Sequence, residues 1–263
     1  MTRLVVSNQR GGVAKTTTVH TLGRYFADQG QKVLIIDMDP QGSVGAVLGL
    51  KPKNYLHHLI VRNCRFEDCV VVASPNLHVL CSNRETAQTE QFLAAAGGWE
   101  TAFERVLAGW DQNYDLVVMD VAPSISRLQM CALVYARRML IPVAMDPLSL
   151  QGLGANFESL RLMNAALHMD AHVIAILPVM LDRRLQMTSL IMESLAELAE
   201  RFQTPVLHPI RVDSTVTKAC RERQFLADYD PRCHALEDYR VAAGQLAGLF
   251  QYQMDAMHFA ASA

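Results

Sequence analysis

Short runs rich in Val, Ile and Leu punctuate the chain, separated by stretches of helical length. They fall at Leu4–Ser7, Val33–Asp37, Leu77–Cys81, Leu116–Asp120, Met139–Val143 and Val173–Val179. Each is apolar at consecutive rather than alternate positions, which predicts strands buried on both faces and so a mainly parallel sheet between two helical layers. Helices are predicted from Thr16 to about Gln29, around Arg84–Ala96, over Trp99–Ala108, Leu150–Ala166 and Gln186–Phe202, and from Leu236 to about Met257. The segment from about Lys51 to Trp110 reads least clearly, and is expected to be a helical elaboration with a scaffold role. No internal repeat, low-complexity tract or Gly/Ser linker interrupts the pattern. The fold class expected is α/β: one doubly wound domain over residues 1–263, with helices on both faces of the sheet.

Composition agrees with a packed core. Of 263 residues, 51% are AVILMFWYC and 19% are charged, a balance that excludes a disordered chain. The longest strongly apolar run, Val173–Leu181, is nine residues with Pro178 inside, against the roughly 20 that a membrane span needs. The first strand begins by Leu4, so no leader is expected and a cytoplasmic location is. The six cysteines form no CxxC pair, so they are expected to be reduced and mostly buried. With 24 Lys plus Arg against 26 Asp plus Glu, the net charge of −2 argues against coating nucleic acid by bulk electrostatics, but leaves room for a local basic patch.

Candidate chemistry starts directly after the first strand, at Asn8-Gln9-Arg10-Gly11-Gly12-Val13-Ala14-Lys15-Thr16-Thr17. A glycine-containing loop between a strand and a helix N-terminus lets backbone N–H groups surround phosphate oxygens, and the helix dipole favours their charge. Lys15 would reach the β and γ phosphates and the Thr16 hydroxyl would coordinate Mg2+. The usual pattern GxxxxGK[ST] is not strictly matched, because Gln9 and Ala14 stand at its two glycine positions. Two strands add acids: Val33–Asp37 runs on through Met38 to Asp39, and Leu116–Asp120 ends on its own carboxylate. In an open parallel sheet ligands bind beyond the carboxyl ends of the strands, where these acids and the loop would converge. One acid there would be an ordinary solvated strand end; three beside a Lys-Thr loop suit Mg-nucleotide chemistry.

With these segments the chain resembles the ParA/MinD family of deviant Walker ATPases, in its small ParA (Soj-like) branch. The resemblance rests on NQRGGVAKTTT at 8–18, VLIIDMDPQGS at 33–43, YDLVVMDVAPS at 114–124, LIPVAMDPLSLQGL at 140–153 and LADYDPRCHALEDYR at 226–240, and runs essentially end to end. It implies that Gly11, Gly12, Val13, Ala14, Lys15, Thr16 and Thr17 cradle the phosphates of ATP, with Thr17 at the α-phosphate. It also implies Mg2+ held by Thr16 and Asp120 with Asp37 supporting the shell through water, and Asp39 orienting the water that attacks the γ-phosphate. The base would sit near Pro209, Arg211 and Asp213, where the family's IPRN-like stretch reads Ile210-Arg211-Val212-Asp213.

Two departures matter. The family's extra lysine, which reaches across an ATP-sandwich dimer, falls at Arg10; arginine keeps the charge and adds a planar fork, so a finger-like contact in trans is open to it. Ala14 replaces a glycine. If that position needs positive φ, its Cβ costs roughly 1–2 kcal/mol, about tenfold in nucleotide affinity if the strain appears only on binding; if φ is negative the change is nearly neutral. Weak but functional ATP binding is the expectation.

The basic residues supply the remaining candidates. Arg183 and Arg184 form one cluster; Lys218, Arg221 and Arg223 form another, with Lys218 and Arg221 sharing a helical face. For a single such residue ordinary solvated charge is the simpler reading, but the resemblance turns the cluster toward nonspecific DNA contact, strengthened when two patches pair in an ATP-dependent homodimer. A MinD-like membrane role would need a cationic C-terminal helix, and no Lys or Arg follows Arg240, so the last helix is expected to pack on the domain. Cys131 is expected to be a core residue and His168 with His172 no metal site. The function expected is a slow, partner-stimulated ATPase on the nucleoid that positions or segregates a plasmid, chromosome or large assembly with a ParB-like or other adaptor. The alternative is a nucleotide-gated DNA-binding scaffold with little hydrolysis.

Overall fold

The computed structural model describes residues 1–182, 184 and 187–261. The strands are β1 (Thr2–Val6), β2 (Val33–Asp37), β3 (Val70–Ser74), β4 (Leu77–Leu80), β5 (Leu116–Asp120), β6 (Arg138–Ala144) and β7 (His172–Val179). They lie in the order β3-β4-β2-β5-β1-β6-β7, and every pairing is parallel except β3 with β4. The consecutive apolar positions have the predicted cause. Val5, Leu34, Ile36, Val117 and Met119 face one hydrophobic layer, while Leu4, Val6, Val33, Ile35 and Val118 face the other.

Helices α1 (Lys15–Asp28), α2 (Ser43–Val47), α9 (Ser214–Arg221), α10 (Leu226–Tyr229) and α11 (His234–Ala261) cover the Leu4/Val6 layer. The opposite layer is covered by α3 (Leu56–Val61), α4 (Thr86–Ala95), α5 (Ala102–Val106), α6 (Arg127–Ala136), α7 (Pro147–Leu167) and α8 (Met187–Arg201). The sheet is therefore doubly wound. The last helix packs on the domain as its apolar spacing implies: Leu236, Tyr239, Ala243, Leu246 and Phe250 are buried, and the hydroxyls of Tyr239 and Thr18 meet at 3.1 Å.

Strand β3 and helices α2, α6 and α10 escape the hydrophobic pattern, α2 and α10 because four or five residues are too few to set a period. Helix α6 is buried at eight of its ten positions, so no polar stripe marks its period; its local signal is Ser126, whose Oγ accepts the Gln129 N–H at 3.2 Å as an N-cap. Strand β3 is a half-exposed edge in which Val72 is 68% exposed, joined to β4 by a tight turn with Asn76 at φ 60°. The unclear region thus contains a β-hairpin as well as helices. Helix α7 starts before the predicted Leu150, because Asp146 Oδ1 accepts the Ser149 N–H at 3.0 Å and Pro147 takes the first turn.

Candidate functional site

Register brings the acids together. In the β2/β5 ladder Asp37 stands opposite Asp120, and Val6, the last residue of β1, is also opposite Asp120. The loop after β1 therefore opens over the carboxyl ends of the two acid-bearing strands, at the point where the order turns from β5 through β1 to β6. Gly12 has φ 74°, and Ala14 has φ 56° and ψ 30° while its carbonyl accepts the Thr18 N–H at 2.9 Å to begin α1. Ala14 thus occupies the left-handed region, the strained branch of the expectation for that residue. Val13 is buried in the core, so only its backbone faces the loop.

Lys15 folds back so that Nζ donates to the Arg10 carbonyl at 3.0 Å. Burial holds its ammonium below the ordinary lysine value, with the Asp120 and Asp39 carboxylates opposing the shift. Thr16 Oγ1 donates to Asp120 Oδ2 at 2.7 Å. The other oxygen, Asp120 Oδ1, is buried with no hydrogen-bond partner among the described residues. Burial pushes Asp120 up to about 7, against the opposing Thr16 bond and Lys15 charge. A hydroxyl beside an orphaned carboxylate oxygen, in a pocket that disfavours bare negative charge, is a donor set fitted to a hard divalent cation.

Asp37, expected to support the metal shell through water, is also tied into the backbone of the following turn. Both its oxygens are used by backbone, Oδ1 accepting from Asp39 N at 3.1 Å and Oδ2 from Val44 N at 3.0 Å. Burial first, and the Asp120 charge second, hold its carboxyl well above the ordinary range. It clamps the turn that carries Asp39 and starts α2. Asp39 is half-buried, with Oδ1 accepting the Gln41 N–H at 2.9 Å.

Arg10 is engaged within its own chain. Its Nη1 donates to Asp146 Oδ1 and, at 2.8 Å, to Ser149 Oγ, on the first turn of α7. A polar seam that the spacing of motifs did not reveal supports it. Gln9 N donates to Asn156 Oδ1 at 3.1 Å, Gln9 Nε2 to Ser159 Oγ at 2.7 Å, and Asn8 Nδ2 to the Pro142 carbonyl at 2.8 Å. The residue at the first lost glycine position is thus a tether between the loop and α7. Asn8 and Asn156 are both buried, and a buried amide must find partners, but that burial comes from packing and leaves no local signal in the sequence.

Beside the loop lies a mostly apolar cavity of about 510 Å³ whose wall includes Gly12, Ala14, Thr17, Met180, Ile210 and Val216, enough for a flat heterocyclic base. Of the three residues expected at the base, Arg211 and Asp213 border this cavity and Pro209 does not. Both side chains at the border are committed elsewhere. Arg211 pairs with buried Asp238, Nε at 2.7 Å and Nη2 at 2.6 Å, and with Glu237 at 3.0 Å. Asp213 accepts Thr215 N at 2.9 Å and Ala235 N at 3.3 Å, capping α9 and joining it to α11.

The basic candidates divide. Arg183 lies outside the described residues. Arg184 is locked onto Asp182 at 2.9 and 2.6 Å. Lys218, Arg221 and Arg223 are exposed at the end of α9, and among the described residues the carboxylate near Arg221 is Glu222, at 3.7 Å.

A strand-loop-helix phosphate cradle with a hydroxyl-carboxylate pair behind it defines a P-loop nucleotide-binding domain. The AAA_31 family, described as an AAA domain, matches residues 1–173. The sporulation initiation inhibitor protein Soj of Bacillus subtilis is 29% identical over 249 residues, covering 93% of this chain and 97% of that protein. The chromosome-partitioning ATPase Soj of Thermus thermophilus is 33% identical over 184 residues, 69% of this chain and 70% of that protein. Cobyrinic acid a,c-diamide synthase of Mycobacterium smegmatis, solved with ADP and magnesium, superposes with a TM-score of 0.81 at 28% identity, over 95% of this chain and 96% of that one. The chain belongs to the ParA/MinD family of P-loop ATPases, in its Soj-like branch.

Proposed function

We propose that this protein is an ATP-hydrolysing switch that pairs with a second copy around bound nucleotide, holds DNA without sequence preference in that state, and positions or segregates a cargo through a ParB-like or other adaptor. It works in the cytoplasm, on the nucleoid. The observation that carries the reading is the convergence of Lys15, the Thr16–Asp120 pair and Asp39 at one end of the sheet, beneath a loop built for phosphate. The Soj relative named for chromosome partitioning supports the positioning role.

Thr16 and Asp120 would hold Mg2+, which when bound neutralises phosphate charge and orients the β and γ groups. Lys15 gives up its loop carbonyl for a phosphate oxygen, a favourable exchange for a partly desolvated ammonium. Asp39, set by the Asp37 clamp, orients the attacking water. The cavity beside Ala14 takes the base, mainly by apolar contact. For Arg10 to reach a partner's phosphates it must leave Asp146. Both side chains are 36% exposed, so the pair is worth only about 0.2–1 kcal/mol. A dimer contact can therefore release it easily.

Steady-state phosphate release with Mg-ATP, DNA and adaptor tests the reading. Asp39→Ala should lower turnover at least tenfold, with ATP binding retained. Turnover unchanged by that substitution, with DNA binding still nucleotide-dependent, would instead favour a nucleotide-gated scaffold with little hydrolysis.

A further inference from the structure

Gly49, in the connection between α2 and α3, lies against the side chain of Arg223, 174 positions later in the chain. A Cβ at Gly49 would stand 3.2 Å from Arg223 Cδ and 3.3 Å from its Cβ, and Gly49 has φ 64°, so both space and backbone call for glycine. The other side of the contact is unusual too. Helix α9 ends with Gln224 N donating to the Ala219 carbonyl at 3.0 Å and Arg223 N to the Cys220 carbonyl at 3.2 Å, which makes Arg223 the left-handed closing residue, with φ 57°. Glycine is the usual occupant there. An exposed arginine is held instead, its stem laid over the one glycine that makes room for it.

The contact joins two groups of cations far apart in sequence. Beyond Gly49, Lys51 and Lys53 are both exposed, on either side of half-buried Pro52. Lys218, Arg221 and Arg223 stand on the other side. Among the described residues the carboxylates recorded beside these five are Glu222, 3.7 Å from Arg221, and Asp68, which lies near Lys53 but is already held by Arg65 at 2.9 and 3.2 Å. Five cations against these two carboxylates concentrate positive charge here, on a chain whose total charge is −2.

We propose that Lys51 and Lys53 of the α2–α3 connection form, with Lys218 and Arg223, a single surface for the sugar-phosphate backbone of duplex DNA, hinged on the Gly49–Arg223 contact. The proposal rests on the DNA-binding reading above and adds to it a second segment that the C-terminal basic cluster does not contain. Ammonium groups on flexible stems suit backbone phosphates and read no bases, so the contact is independent of sequence. The connection leads directly out of α2, whose start is clamped by Asp37 next to Asp39, which puts the DNA surface one short helix from the phosphate end of the nucleotide site.

Fluorescence anisotropy of the full-length protein with Mg-ATP and a labelled random-sequence duplex, over a salt series, tests this. Each phosphate contact removed lowers the slope of log affinity against log salt by about 0.9. Lys51→Ala/Lys53→Ala should weaken binding about tenfold near 0.1 M salt and lower the slope by one to two. Arg223→Gly, which keeps the backbone conformation of the helix end, should lower it by about one. Arg184→Ala, whose charge is taken by Asp182, should change neither. Unaltered melting midpoints establish that the variants are folded. If the wild type binds and Arg223→Gly weakens it while the double lysine variant keeps full affinity and slope, DNA binding stands and the shared surface is refuted. A wild type with no affinity for the duplex in Mg-ATP would overturn both.

Discussion

Replacing Ala14 with glycine should stabilise the protein and leave its nucleotide affinity nearly unchanged. Ala14 sits at φ 56° and ψ 30°, a conformation that costs an L-residue roughly 1–2 kcal/mol relative to the right-handed one. That geometry belongs to the fold, because the Ala14 carbonyl accepts the first hydrogen bond of α1 from Thr18 N at 2.9 Å, and Gly12 before it already turns the chain at φ 74°. Glycine removes the strain but gives the unfolded chain additional freedom, worth about 0.5–1 kcal/mol the other way. The net gain is about 0.5–1 kcal/mol, or about 1–4 °C in melting midpoint for a domain of this size. Strain carried by the folded chain itself cancels from the binding equilibrium, so the Kd for Mg-ATP should move less than about twofold. Differential scanning calorimetry and isothermal titration on both proteins measure the two quantities. A lower midpoint in Ala14→Gly would mean that the left-handed backbone is not strained. A tenfold tighter Kd at unchanged midpoint would mean that the strain arises only when nucleotide binds.

Acid sensitivity should trace to His20. Its imidazole is fully buried with neither nitrogen hydrogen-bonded among the described residues, and burial pushes its pKa from 6.5 down to about 4. The unfolded chain takes up the proton first, so this contribution is complete above pH 6.5 and is lost as pH falls toward 4, by about 3 kcal/mol. His20→Leu should flatten that limb in denaturant melts across the range; an unchanged slope would assign it to other groups. Arg211→Ala should destabilise by about 3 kcal/mol or more, since it leaves the 2% exposed Asp238 side chain with only His208 and a backbone N–H. Chemical denaturation checks it, and near-native stability would show that Arg211 is not the partner that keeps Asp238 charged.

The legible part of this protein was its sheet and the edge of its site. Six strand-like runs reported their own burial, because a strand covered on both faces is apolar at every position, and the carboxylates ending Val33–Asp37 and Leu116–Asp120 were conspicuous against that background. Helix α6 was illegible for the opposite reason: buried nearly all round, it had no polar face to set a period. The β3 edge was lost because none of its five side chains is fully buried.

Lys15, Thr16, Asp39 and Asp120 could be picked out as candidates from the sequence because loop chemistry and strand ends are local properties, written within a few residues. The division of labour among them could not. Register across β2 and β5 sets Asp37 opposite Asp120, yet the backbone N–H groups of Asp39 and Val44 take both Asp37 oxygens and leave Asp120 with the orphaned one. Arg10 could be named as a cation at the loop, but its resting partners Asp146 and Ser149 come from a helix that begins 137 positions later. The sign of φ at Ala14 depends on how the loop enters α1, and the union of Lys51 and Lys53 with Arg223 on a side chain crossing Gly49. Residue type and short spacing determine which groups can do chemistry; only packing of distant segments decides which of their hydrogen bonds and charges remain free to do it.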